Sequence, residues 1–506
     1  MPSDIAIVIT NDKIEQLRRE RKYTEAYEMA QKARSTMPET AWVNRQLGWC
    51  IYYLLKECAN ATQSREFLSR LQELADIDKE HGLNAYITKA LVWPVRQFVV
   101  SCIDGENVQE PLLYQVYAIL RQIKFDTNDE NYSILLGAFI KAKKWSGLKE
   151  FIEWWNLDNI KSKDCEPYVT SEGRKIMSVA EQAYIAYSNI LLHELQMKTA
   201  DSAQVMDYAN RLAEVSKDHP DFQYPSYFRA KLLLESGHPY EAREALLPFI
   251  KRKANDYWVW DLYGDASTDD NMRMACYCKA LSCSGKEQYL RKLHFKVCDL
   301  LLQQKQYDEA ATELRTALGI SERNGWTMPY KFQCYTTESW YLDAHPLQNN
   351  SKLYAEKSPI AEELIYSDIP SMAILITHIN KEKQIANFVA ANKKEGFFSC
   401  KKIKCREMEA YACRMTNDNE KHYKVYSCRP INGHEHGLVK DFEGTLKLTE
   451  SGIGFVDSIF IPKALSEKFD NETNVKGQTI LSYNHKKDKW GWRAIVLEVQ
   501  TQIDVT

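Results

Sequence analysis

Between residues 380 and 430 the chain sets cations beside aromatic rings. Twelve Lys and Arg stand there against six Asp and Glu. Phe388, Phe397, Phe398, Tyr411, Tyr423 and Tyr426 interleave with Lys393, Lys394, Lys401, Lys402, Lys404 and Arg406. Cations neutralise phosphates and rings stack on bases, so this mixture is the footprint of a surface for single-stranded nucleic acid. Two blander readings stand beside it. One is a solvated basic face that keeps a small β-domain soluble and blunts its edges; the other is protein docking.

Other residue groups point to no chemistry. Cys276, Cys278 and Cys283 form C-x-C-x4-C, which is not a zinc spacing, on a stretch that reads as helix. His434 and His436 flank Glu435 in GHEHG, which lacks the helical i, i+4 spacing of a zinc protease and reads as a linker turn. Phosphate loops, nucleophile elbows, dinucleotide fingerprints and kinase loops are all missing, and Gly is only 19 of 506 residues. The acidic pairs Asp269-Asp270 and Glu362-Glu363 read as helix surface or cap. The chain is therefore expected to be non-enzymatic, with no metal and no cofactor.

Composition sets the frame. Hydrophobic residues make up 44% and charged residues 27%, a globular balance, and the net charge of -3 carries no whole-chain signal for nucleic acid. Thirteen cysteines without a regular framework read as reduced thiols in cytoplasm. No apolar run approaches a membrane span, and the start MPSDIAIVITNDK lacks a basic lead-in and a cleavage site.

The hydrophobic period changes along the chain from 3.6 to 2. Residues 1–345 read as helical, 346–370 as a linker with a short helix, and 371–431 and 438–502 as two small β-barrels. The helical part repeats itself. KYTEAYEMAQKARSTMP at 22–38 and QYDEAATELRTALGI at 306–320 share a Tyr, an Ala three residues on (Ala26, Ala310) and another seven further (Ala33, Ala317). Leu47-Gly48 and Tyr263-Gly264 each place a bulky residue before a small one in the partner helix. Copies fall near 11–38, 225–255, 257–283 and 289–320, whereas 60–210 is helical but poor in signature residues. The pattern resembles tetratricopeptide repeats, which stack into an α-solenoid because one hairpin alone leaves an apolar face bare.

The last hundred residues divide into EGTLKLTE, GIGFV, SIFI, QTILSYN and WRAIVLEV, five strands in the order of an OB-fold barrel. They resemble the cold-shock family through Gly444-Thr445-Leu446-Lys447-Leu448, Ser451-Gly452-Ile453-Gly454-Phe455-Val456 and Ile459-Phe460-Ile461-Pro462. In that family aromatics on strands one to three stack on bases. The resemblance carries Lys447, Phe455 and Phe460 over as contacts. It also shows three platforms replaced, by Leu448, Ile453 and Pro462, for which Tyr483, Trp490 or Trp492 would have to compensate. The segment 371–431 resembles the same superfold with strands MAILITHI, QIANFVA, GFFSCKKI, EAYACRM and HYKVYSCRP. Its greater basicity makes it the better place to expect binding, through Lys393, Lys394, Phe397, Phe398, Lys401, Lys402 and Lys404.

The architecture as a whole is similar to components of prokaryotic conflict (phage-defence) systems. That resemblance implies an adaptor that holds a protein partner in the solenoid groove, a nuclease, helicase or other effector, and single-stranded RNA or DNA on the barrels, RNA ahead of DNA, with no membrane involvement. The alternative is a pure protein-interaction scaffold whose barrels dock proteins or self-associate.

Overall fold

The structure is a computed structural model that describes residues 10–500 except 284, 402, 404, 485 and 486. The apolar start up to Ile9, and Lys486 in the turn expected at 486–489, lie outside the described residues. The chain forms two compact units, one ending at Phe249 and the other beginning at Ile250.

The first unit is helical. Its helices include Asn11–Arg19, Tyr23–Thr36, Ala41–Glu57, Ser64–His81, Ala85–Ser101, Val179–Met197 and Ser202–Asp218. Ala26, Ala30 and Ala33 are fully buried on one face of Tyr23–Thr36, where small side chains let the neighbouring helix approach. Asp201 caps Ser202–Asp218 by accepting from Ala203 N at 2.9 Å. Two short hairpins interrupt the helices: β1 (Ile103–Asp104) with β2 (Asn107–Val108), and β3 (Tyr168–Val169) with β4 (Lys175–Ile176). Two-residue strands are too short to register as a period.

The second unit begins with further helix-turn-helix pairs, Tyr257–Asp265 with Asp270–Ser282 and Glu287–Gln303 with Tyr307–Arg323. The Tyr263-Gly264 signature has a physical reason. A Cβ on Gly264 would lie 2.5 Å from the Tyr277 ring, so only glycine lets these two helices close. Asp269 caps Asp270–Ser282 by accepting from Met272 N at 2.8 Å. Cys276 and Cys278 are fully buried in that helix, and burial pushes the Cys278 thiol up to about 12.

The linker expected at 346–370 carries a helix of 15 residues, Ser351–Ile365, that is packed rather than loose. Glu313, 1% exposed, binds His294 Nδ1 at 2.6 Å and accepts from Asn350 Nδ2 at 2.7 Å and from the Tyr354 hydroxyl. A buried carboxylate is tolerable only with such partners. Lys279 pairs with Glu362, and Arg414 of the first barrel pairs with Glu363 while also donating to the Ile369 carbonyl. The helix is thereby bonded to the repeats on one side and to the barrel on the other, so the acidic pair Glu362-Glu363 serves as surface anchoring.

The first barrel is closed in the order β5-β6-β7-β9-β8, from β5 (Ser371–Asn380), β6 (Ile385–Ala390), β7 (Glu395–Ser399), β8 (Ala410–Asn419) and β9 (His422–Pro430). The second is a six-stranded sheet, β10-β14-β15-β13-β12-β11, built from β10 (Val439–Thr445), β11 (Lys447–Leu448), β12 (Gly454–Val456), β13 (Ile459–Ile461), β14 (Asn474–Asn484) and β15 (Lys489–Val499). The five expected strands are present, the first of them split in two. The first strand breaks at fully buried Leu446, so its first half pairs with β14 and its second with β12. The two ends of the sheet are the halves of one interrupted strand. Among the described residues no helix is long and apolar enough to cross a membrane.

Candidate nucleic-acid interface

Strand alternation decides which of the expected residues can touch a ligand, because neighbours along a strand face opposite ways. On β7, Phe398 points inward and is fully buried with Phe388, Tyr411 and Tyr423 in the first barrel's core. Four of the six aromatics interleaved with cations at 380–430 are therefore core residues, and Phe398 is no stacking platform. Burial, with a 2.6 Å bond to Glu409, also holds the Tyr411 phenol protonated. Phe397, one residue earlier, stays half-buried on the outer face, its ring 5.4 Å from that of His422.

Lys393 and Lys394 are exposed in the turn between β6 and β7, and Lys401 is exposed just past β7. Lys402 and Lys404 lie outside the described residues. Part of the local positive charge is already matched. Lys421 pairs with Glu395 at 2.6 Å, Arg406 with Glu409 at 3.5 Å, and Arg414 with Glu363.

The second barrel arranges its residues differently. Register pairs Lys447 with Phe455, Phe455 with Phe460, and Phe460 with Arg493 across four successive strands. Directly opposed residues share a face, so these four side chains form one row. Lys447, Phe460 and Arg493 are exposed, Phe460 by 37%, and Phe455 is half-buried. The two rings sit 6.0 Å apart with planes at 67°. The next row, Leu448, Gly454 and Ile461, faces the core. Gly454 is needed there, because a Cβ would come 2.7 Å from the Leu446 side chain.

The row continues past Arg493 to Ile480 and Val439. There the outer face is covered. Leu375, Val389, Ala410, Leu438 and Ile480 form an apolar cluster between the barrels, with Val439, Ile495 and Trp490 packed against it. The Ile480 and Val439 end of the row thus docks the barrels together, and the other four residues face outward.

Neither of the two expected tryptophans belongs to the exposed row. Trp490 joins the inter-barrel cluster, its ring 5.2 Å from Tyr483. The Trp492 ring is covered by Lys440 Nζ, 4.4 Å from its centroid. Arg493 was missed by reading residues for resemblance alone. The alternation Trp492-Arg493-Ala494, with Ala494 in the core, was the available signal.

An exposed row of cation, ring, ring and cation can stack two bases while the cations meet the flanking phosphates. Each stack is worth roughly 1–3 kcal/mol.

Comparison with known families agrees with this architecture. Residues 366–421 match S1/CSD-like domain 1 of the TOTE conflict systems, and 440–497 match S1/CSD-like domain 2 of the same systems. Residues 223–361 match a domain of unknown function, DUF7017. No curated protein matches the chain. Among solved structures, one described as "The hypoxic regulator of sterol synthesis Nro1 is a nuclear import adaptor" aligns with 63% of this chain and 99% of its own, at 12% identity and a TM-score of 0.22.

Proposed function

A helical-repeat region precedes two tandem S1/CSD-like domains of the TOTE conflict-system kind, and from that premise we propose that the protein is a non-enzymatic adaptor for single-stranded nucleic acid, RNA ahead of DNA. The observation that carries the reading is the exposed row Lys447, Phe455, Phe460, Arg493. Exposing aromatic rings between cations costs solubility and adds nothing to the core, whereas it matches a strand of bases and phosphates. The primary grip is on the second barrel, since the first has spent most of its rings on its core.

The helical part, with its tetratricopeptide-type pairs, takes the protein partner, an effector such as a nuclease or helicase of the same cytoplasmic defence system. The competing reading is a scaffold whose barrels dock only proteins. One end of the second barrel's outer row, Ile480 and Val439, already performs docking between the barrels, which leaves the exposed residues for a different ligand.

The experiment is a titration of the full chain with mixed-sequence single-stranded RNA and DNA at low and raised salt. Binding that weakens as salt rises is expected. No binding to either strand at low salt would sink the proposal and leave the scaffold.

A further inference from the structure

The first barrel also carries a row on its outer face, and its chemistry differs. His378 pairs with Asn387 across β5 and β6, Asn387 with Phe397 across β6 and β7, and Phe397 with His422 across β7 and β9. All four side chains are exposed or half-buried. Only one is an aromatic hydrocarbon; the others are an amide and two imidazoles.

The row is built, not incidental. Glu407 accepts from Ile379 N at 2.6 Å and holds His378 Nδ1 at 3.0 Å, which leaves the Nε2 edge of that ring outward. Among the described residues nothing hydrogen-bonds the Asn387 amide, although Thr377 Oγ1 donates to the Asn387 backbone carbonyl at 3.2 Å and anchors the position. The amide therefore stands on the outer face beside a ring, with its NH2 donors and its carbonyl acceptor free.

The two barrels thus present complementary kinds of surface. The second offers cations and rings, which every strand satisfies because every base has a π-face and every link a phosphate. Its polar groups, Lys447 and Arg493, only donate, so it offers no side chain that meets a donor and an acceptor of one base at once. The first offers a ring for stacking and, on the neighbouring strand, an amide that does distinguish edges. A side-chain amide meets the adenine N6 donor and N7 acceptor at once, a pairing that a purine with an acceptor at position 6 cannot make.

We propose that the first barrel is the base-selective half of the tandem, with a base stacked on Phe397 and Asn387 favouring adenine by its N6/N7 edge. This rests on the nucleic-acid reading above and deepens it. Asn387 is the specificity-determining residue and Phe397 the platform. His378 and His422 flank the base and close the row.

The test uses the full chain and labelled homopolymers of adenine, uracil and hypoxanthine, the last a purine of similar stacking area that lacks the N6 donor. Adenine is expected to bind several-fold tighter than hypoxanthine. Asn387→Ala should bring that ratio to about one with uracil affinity unchanged, and Phe397→Ala should weaken all three homopolymers. A melting curve unchanged from the parent shows that each variant is folded, as an outer-face position predicts. Equal binding of adenine and hypoxanthine by the parent, or a preference that survives Asn387→Ala, overturns the inference while the adaptor reading stands. Loss of all homopolymer binding by the parent chain would instead be the failure of the adaptor reading itself.

Discussion

Phe455 and Phe460 face each other across adjacent strands of the second barrel, ring centroids 6.0 Å apart and planes at 67°. In the first barrel, Phe398 occupies a sequence context of the same kind yet is fully buried. One kind of residue serves a surface in one barrel and a core in the other.

That difference separates two mutational outcomes. Phe398→Ala removes a core ring and should cost about 3–5 kcal/mol of stability. Phe460→Ala removes an exposed ring and should change stability by less than about 0.5 kcal/mol. Denaturant unfolding of the two variants beside the parent decides it. A stable Phe398→Ala variant would mean the ring is not where the barrel core requires it.

Lys447 and Arg493 end the exposed row, and each is placed for a phosphate. Replacing either with Ala should lower the slope of log affinity against log salt by about one, across strands of any sequence. Affinity measured at four or five salt concentrations reads this directly. Unchanged slopes would remove both cations from the interface.

Ile480 sits in the apolar contact between the barrels. Ile480→Asp places a carboxylate there, opposite Arg493, and desolvating it works against docking. The barrels should separate, and the turn at 431–438 should become a protease-sensitive site. Limited proteolysis with the parent's pattern would mean the contact does not hold the pair together.

Gly264 lies under the Tyr277 ring with no space for a methyl group. Gly264→Ala should destabilise the helical part by about 1–3 kcal/mol through overpacking, visible as a lower melting temperature. A neutral substitution would contradict the close helix approach that explains the repeat signature.

Much of this arrangement was legible from period and spacing. The Ala positions of the repeats mark the buried faces of helices, since Ala26, Ala33, Ala310 and Ala317 are all fully buried, whereas Tyr23 is half-buried and Tyr307 exposed. The strands of both barrels fall close to where alternation puts them. Inside against outside on β7 was also readable, because Gly396, Phe398 and Cys400 share one parity and all are buried. Clustering rings and cations by proximity in sequence ignored that parity and put Phe398 on the wrong face. Trp490 is a different case. Its burial depends on one barrel packing against another, and no local pattern records which face of a sheet meets a neighbour. The break at Leu446 is similarly silent, since one buried residue between two half-strands leaves the alternation intact.

The most direct test of the account compares the parent chain with Phe455→Ala/Phe460→Ala in a fluorescence-anisotropy titration against labelled single-stranded RNA at low salt. With two stacks at roughly 1–3 kcal/mol each, the double variant should bind at least about thirtyfold more weakly while melting as the parent does. Equal affinity in parent and double variant would contradict the claim that this row holds the strand.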